Sequence, residues 1–494
     1  MAGAAAPRVR VGGPATPWTL AVVVAMLVFV VLTSITAVGR QRDFRTYRND
    51  MGNMVQVVDN TAHGRILLMT GNDGRQIDRL AAHVDPVLVL FALPWLVWPD
   101  PAMLLIAQAL LVALTAWPAY RLGLRILTDP MAAAGCALAA LLYPPLQFAA
   151  LDEFHPVTLA IPLLLFAFVF LEEDRRWLAV PFLILAALCK EEIPLVIALM
   201  GAFFALRKRR LWPLLVTAAA GAYFLVAVGL VIPHFNGGDS SRFLDRFSSD
   251  GASMRSLATG LLTHPWRVVT TLLAPSGLAY LVKLLWPFGF TSLASPLTFL
   301  ISLPELLINL LSSKPQQHSI AYHYVAGEAP FVIAAMVLGL RRIGELLARR
   351  SAQSRRAGPH RLHRGLATLV VAIALLATFT VGPLSGARPG WGLALTAQHR
   401  AVIAEALAKV PAEASVSADQ ALGAQLSARE RITTFPLIGG ADYVVLDSRG
   451  RYGPWRARAL TKLRANPGYE LVFEREGVLV FKRIGGARIP ATGG

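Results

Sequence analysis

Asp50 stands in a polar stretch, residues 40–65 (RQRDFRTYRNDMGNMVQVVDNTAHGR), with Arg45 and Arg48 just before it. A carboxylate beside arginines can take the proton of an attacking hydroxyl while the cations hold a phosphate, which suits group transfer by general-base catalysis. The competing reading is structural. Met51, Met54, Val55 and Val58 recur at helical spacing, and an Asp ahead of them can cap free backbone N–H groups. That spacing predicts an amphipathic helix lying on the membrane surface. Asp152-Glu153-Phe154-His155-Pro156 places three ionisable groups between apolar runs, which is costly unless they meet water, an ion or one another; a solvated turn fits equally well. Lys190-Glu191-Glu192 interrupts another apolar run, and Lys190 suits a lipid phosphate. Residues 312–324 (SSKPQQHSIAYHY) add Lys314, Gln317, Tyr322, His323 and Tyr324, donors for an anion or a sugar, although Tyr also collects at membrane interfaces. His83-Val84-Asp85-Pro86 fits a metal or phosphate contact, or simply a helix start.

The elements that must hold these groups are built for lipid. Of 494 residues, 55% are hydrophobic and 16% charged, far from the soluble range, and residues 18–38 run without a charge. In hydrocarbon every backbone polar group needs an internal partner, so the spans must be helical. Apolar runs at 18–38, 103–121, 131–151, 156–171, 177–189, 193–206, 211–233, 266–286, 288–311, 324–340 and 366–383 predict about eleven transmembrane helices at about 20 residues each. Residues 86–98 are too short and read as an interfacial or re-entrant segment. Residues 18–38 read as a retained anchor rather than a cleaved leader. Lys and Arg crowd the connections 121–129, 172–176, 207–210 and 341–364, which the positive-inside rule assigns to the cytoplasm. The N-terminus is then cytoplasmic, and the loops at 39–83, 152–155, 190–192, 236–263 and 312–323, with everything after 383, lie outside. The tail changes character. Residues 415–418 and 442–447 read as strands, 455–463 as a helix, and 469–482 as a hairpin turning at Glu476-Gly477.

The domain plan is therefore a disordered N-terminus (1–17), an all-α polytopic membrane region (18–385) with an outer loop at 39–84, and a small extracytoplasmic α/β domain (386–494). Cys136 and Cys189 lie inside apolar helices and read as packing residues. The formal charge of +17 falls mainly in the membrane connections, so nucleic acid is not implied. No G-x-x-x-x-G-K-[ST], H-E-x-x-H or G-x-G-x-x-G occurs, which leaves ATP hydrolysis, zincin chemistry and a Rossmann site without support. Energy for a reaction would arrive with the substrate.

The order Asn49-Asp50, Gln56, Asn60-Thr61-Ala62-His63-Gly64-Arg65, His83-x-x-Pro86, Phe154-His155-Pro156, Lys190-Glu191-Glu192, Leu310-Leu311-Ser312-Ser313 and Tyr322-His323-Tyr324 resembles the bacterial membrane family DUF2079, as do Val416-Ser417-Ala418 and Asp442–Asp447 in the tail. That family is similar to the GT-C glycosyltransferases, which include protein O-mannosyltransferases and aminoarabinose transferases. The resemblance implies a GT-C-like protein of the bacterial plasma membrane that takes a sugar from a polyprenyl-phosphate donor on the outer face. It gives Asp50 the base role, His83 and His155 the donor head group and Lys190 its phosphate. The implied substrate-binding set is Arg45, Arg48, Gln56, His83, Asp152, Glu153, His155, Lys190, Glu191, Gln317, Tyr322, His323 and Tyr324. Many superfamily members carry two adjacent acidic residues where Asn49-Asp50 offers one, so no metal ligand is assigned and use of a divalent metal stays open. The rivals are a lipid or glycan flippase, against which stands the lack of repeated halves, and a non-catalytic envelope assembly protein.

Overall fold

The computed structural model describes residues 16–238, 247, 259, 263, 264, 266–350, 358–385, 395–449 and 453–485. The expected disordered N-terminus falls almost wholly outside them, as does most of the loop 236–263. The chain is mainly helical. Among the described residues four helices, Pro17–Arg42, Pro101–Leu127, Pro213–Phe235 and Pro359–Thr380, are long and apolar enough to cross a membrane, and the pair Pro130–Leu141 and Pro144–Leu151 makes a fifth if counted as one span bent by 48°. The bend is local chemistry, because Pro144 and Pro145 cannot donate to the carbonyls of the preceding turn. Pro17–Arg42 starts where Thr16 accepts from the Thr19 amide, and it turns Leu20, Leu27, Leu32 and Ile35 outward, an apolar face suited to lipid.

Several expected spans are shorter or broken. Residues 288–311 split into the 3₁₀ turn Thr291–Ala294, the helix Pro296–Phe299, the 3₁₀ turn Leu300–Ser302 and the helix Leu303–Leu311, and residues 266–286 break into Trp266–Leu273 and Pro275–Leu285. Pro275, Pro296 and Pro304 stand at the starts of these pieces. Small residues let the helices approach: a Cβ on Gly123 would lie 2.7 Å from the Ala133 Cα, and one on Gly201 2.8 Å from the Pro213 carbonyl oxygen.

The two ends of the bundle differ in chemistry. At one, Arg121 pairs with Glu173, Arg207 with Glu172 and Arg364 with Asp129, which gathers the basic connections. At the other, reached at the start rather than the end of Pro156–Glu172, the segments around Asp50, Asp85, His155, Lys190 and His323 meet.

The first loop is not a surface helix. A π-helical turn, Arg48–Gly52, leads into the helix Asn53–Ala62, of which residues 53–60 are all buried. The strands β1 (Leu68–Thr70) and β2 (Gln76–Asp78) pair antiparallel behind it. What covers its polar side is the tail, where β3 (Val416–Ala418), β4 (Ile432–Thr434), β5 (Tyr443–Asp447), β6 (Tyr469–Arg475) and β7 (Val478–Arg483) form one sheet in the order β4-β3-β5-β7-β6. β3 runs parallel to β4 and β5, whereas β5–β7 and β6–β7 are antiparallel. Alternation sends Val445, Val478 and Val480 to a core with the helix Ala397–Leu407, and Val444, Leu446, Leu479 and Phe481 to one with Leu463 of the helix Pro454–Arg464. The β6–β7 turn is at Glu476-Gly477, both at positive φ as a tight hairpin requires.

Candidate functional site

The turn 152–155 wires the site together, and a buried glutamine inside a membrane helix holds that turn. Gln108 donates to the Glu153 carbonyl at 2.8 Å and accepts from the His155 amide at 2.9 Å and the Thr158 hydroxyl at 2.9 Å. Each ionisable residue of the turn then takes a different partner. Glu153 accepts from the Tyr47 amide at 3.1 Å and the Met51 amide at 2.8 Å, so it anchors the turn that carries Asp50. Asp152 accepts both the backbone amide and the Nδ1 of His323 at 3.1 Å. His155 stacks on the His323 ring, centroids 3.7 Å apart, with its Nε2 3.8 Å from Asp50 Oδ1. Asp50 caps nothing: the residue before its helical turn is Tyr47, and its carboxylate is 53% exposed.

These groups face a cavity of about 260 Å³. Of the sequence-predicted residues, Asp50, His83, His155, Lys190, Gln317, His323 and Tyr324 line it, together with Asn49, Arg79, Asp85 and Lys314. Lys190 pairs with Glu192 at 2.6 Å and lies 5.7 Å from the Tyr324 ring centroid. Arg79 grips Asp85 in a buried fork at 2.6 and 3.1 Å. Lys314 belongs to the donor-rich run of the sequence, but nothing in the local pattern marks Arg79, whose guanidinium is held by the carboxylate six residues on. Asp85→Asn should lower the melting temperature by the equivalent of roughly 3 kcal/mol, because it strands a buried guanidinium, and the double variant Arg79→Met/Asp85→Asn should recover much of that loss. Thermal unfolding of both in nanodiscs checks this.

The other predicted residues lie elsewhere. Arg48 and Gln56 do not line the cavity: Arg48 is 1% exposed and donates to the carbonyls of Thr70 at 2.6 Å and Ile432 at 2.9 Å, while Gln56 donates to Thr70 Oγ1 and to the Glu430 carbonyl. Both join the first loop to the tail sheet, because backbone carbonyls at strand ends need donors more than a distant ligand does. Arg45 and Tyr322 do not line the cavity either. Asp152, Glu153 and Glu191 stand behind it, Glu191 accepting from His83 Nδ1 at 2.9 Å and the Val84 amide at 3.0 Å.

Burial works to raise the Asp50 carboxyl, but the His155 imidazole beside it prevails and holds it below the usual carboxylate range. His155 gains in turn: burial disfavours its charge, yet Asp50 and Asp152 keep its pKa raised. His323 is pushed down to about 3, first by burial and then by His155. Burial and the Asp50 charge push Glu153 up to about 8, against the two amides it accepts from. Burial also lowers His83.

Among the described residues Asp152, His155 and His323 form a set that could hold a metal ion, with ligand atoms within 4.8 Å of one another. Two imidazoles and a carboxylate suit zinc or another borderline divalent cation, and a neutral His323 whose Nδ1–H donates to Asp152 would offer the lone pair of Nε2 as its ligand atom. His155 would have to release the proton that the carboxylates favour. The ion, when bound, would supply Lewis acidity and fixed positive charge.

The fold is a helical bundle carrying a polar cavity at one end, with a small α/β unit joined to its first loop. The structure is similar to that of ArnT from Cupriavidus metallidurans bound to undecaprenyl phosphate (13% identity, 95% of this chain and 98% of that one, TM-score 0.51) and to ArnT in the apo state (14% identity, 96% and 99%, TM-score 0.51). The profile of the family described as predicted membrane protein DUF2079 matches residues 42–480, and the chain belongs to that family. Among curated proteins none matches.

Proposed function

We propose that the protein transfers a sugar from a polyprenyl-phosphate donor to an acceptor hydroxyl on the outer face of the bacterial plasma membrane, with inversion at the sugar carbon. Asp50 removes the hydroxyl proton as the acceptor oxygen bonds to that carbon; the bond from carbon to phosphate oxygen breaks, and the phosphate leaves with the electron pair. Arg79, Lys190 and Lys314 stabilise the charge that grows on the leaving phosphate, and a neutral His83 or Gln317 can orient the donor head group. The observation that carries this reading is the convergence of Asp50, His83, His155, Lys190 and His323, remote in sequence, on one cavity. The gathering of basic connections at the far end of the bundle supports a cytoplasmic N-terminus, an exoplasmic Asp50 and tail unit, and about eleven crossings, the shorter helices being tilted or paired. ArnT, which shares the fold, has been crystallised with undecaprenyl phosphate, in keeping with such a donor.

The test is full-length protein in nanodiscs, given undecaprenyl phosphate carrying a radiolabelled sugar and a bacterial envelope extract. Label should leave the lipid and appear on extract components. Movement of a fluorescent polyprenyl lipid between leaflets with its sugar bond intact would overturn transfer in favour of a flippase.

A further inference from the structure

A second cavity opens beside the first. It measures about 660 Å³ and lies between the first loop and the tail sheet, lined among others by Asn49, Asn72, Asp73, Gln420, Thr434 and Trp455. Asn49 lines both cavities, so the groove reaches the residue next to Asp50. The shared wall is fixed, since the Asn49 amide donates to Gln420 Oε1 at 3.1 Å. Trp455, at the start of Pro454–Arg464, is 54% exposed. Its neighbour Arg456 also lines the groove, with Cζ 5.6 Å from the indole centroid, while Asp73 pairs with Arg75 at 3.6 Å.

We propose that this groove is the acceptor site and that the acceptor is a neutral saccharide chain. The proposal rests on the sugar-transfer reading, because an acceptor has meaning only if a group is transferred. An indole face offers an apolar platform for the C–H face of a pyranose ring, while amides and a carboxylate offer the mixed donors and acceptors that a polyol requires. The volume lies within the ~300–1,000 Å³ of small-ligand sites. Among the described residues the lining holds a single cation, Arg456, where a polyanion would call for a run of them. A saccharide lying along the groove would bring its terminal hydroxyl past Asn49 to Asp50.

The experiment is equilibrium binding to the full-length protein in nanodiscs, with maltohexaose, cellohexaose, mannohexaose and a Ser/Thr-rich peptide as probes, and with undecaprenyl phosphate binding measured in parallel. At least one hexasaccharide should bind saturably. Trp455→Ala should weaken it at least tenfold and Asn72→Ala severalfold, with melting temperature and undecaprenyl phosphate affinity unchanged. No saturable hexasaccharide binding, binding indifferent to Trp455→Ala, or uptake of the peptide alone would each overturn the proposal. Failure of the parent reading looks different: hexasaccharide binding would stay dependent on Trp455 while no labelled sugar left its lipid, and the groove would then be a saccharide site without the transfer.

Discussion

Asp50→Asn should abolish measurable sugar transfer, a loss of about 10²–10⁴-fold if the residue acts as the general base. The amide keeps the size of the side chain but cannot take a proton. Melting temperature and undecaprenyl phosphate binding should hold, because the carboxylate is half exposed and caps no helix. Transfer at the wild-type rate would remove Asp50 from the mechanism. The pH profile gives a second reading of the same group. A base works in its ionised form, above its pKa, and His155 keeps Asp50 below the ordinary aspartate range, so the acid limb of kcat/KM should lie below the range of an ordinary aspartate. His155→Gln removes the imidazole that holds the pKa down, so that limb should move to higher pH. A limb that stays in place would show that another group sets it.

Arg48→Met should be the most damaging change away from the cavity. The guanidinium is almost wholly buried with carbonyls, not a carboxylate, as partners, and although burial lowers its pKa to about 10 it stays charged at neutral pH. Losing it strands the Thr70 and Ile432 carbonyls at about 1–3 kcal/mol each. The cost falls on the joint between the loop that bears Asp50 and the tail sheet, where Gly423 also packs on Arg48: an added Cβ there would lie 3.0 Å from the Arg48 Cβ. The expected result is faster hydrogen exchange over residues 416–434 and a fall in transfer, with undecaprenyl phosphate binding retained. Unchanged exchange and full activity would show that the joint holds without Arg48.

Sequence and structure contribute at different ranges. Hydropathy along 18–38, 103–121, 211–233 and 366–383 is a property of consecutive residues, and helices occupy all four stretches. The hairpin at Glu476-Gly477 and the strand at 442–447 were legible for the same reason, since turn chemistry and alternation are local. Prolines showed where helices start but not which apolar run would break, and for that reason 288–311 reads as one span and folds as four pieces. Strand β4 and the pair β1–β2 carry too few residues to form a pattern.

The candidate site divides along the same line. By itself, the sequence determined that this is a membrane protein and which acidic, basic and imidazole groups interrupt its apolar runs, because the cost of charge in lipid leaves a visible mark on composition. Only the tertiary structure decided what each group does. Glu153 and Glu191 face backbone amides, Arg48 and Gln56 face carbonyls from the tail, and Arg79 turns to the cavity. Every residue presents the same backbone donors and acceptors, so no spacing of side chains can reveal which of them a buried charge will meet.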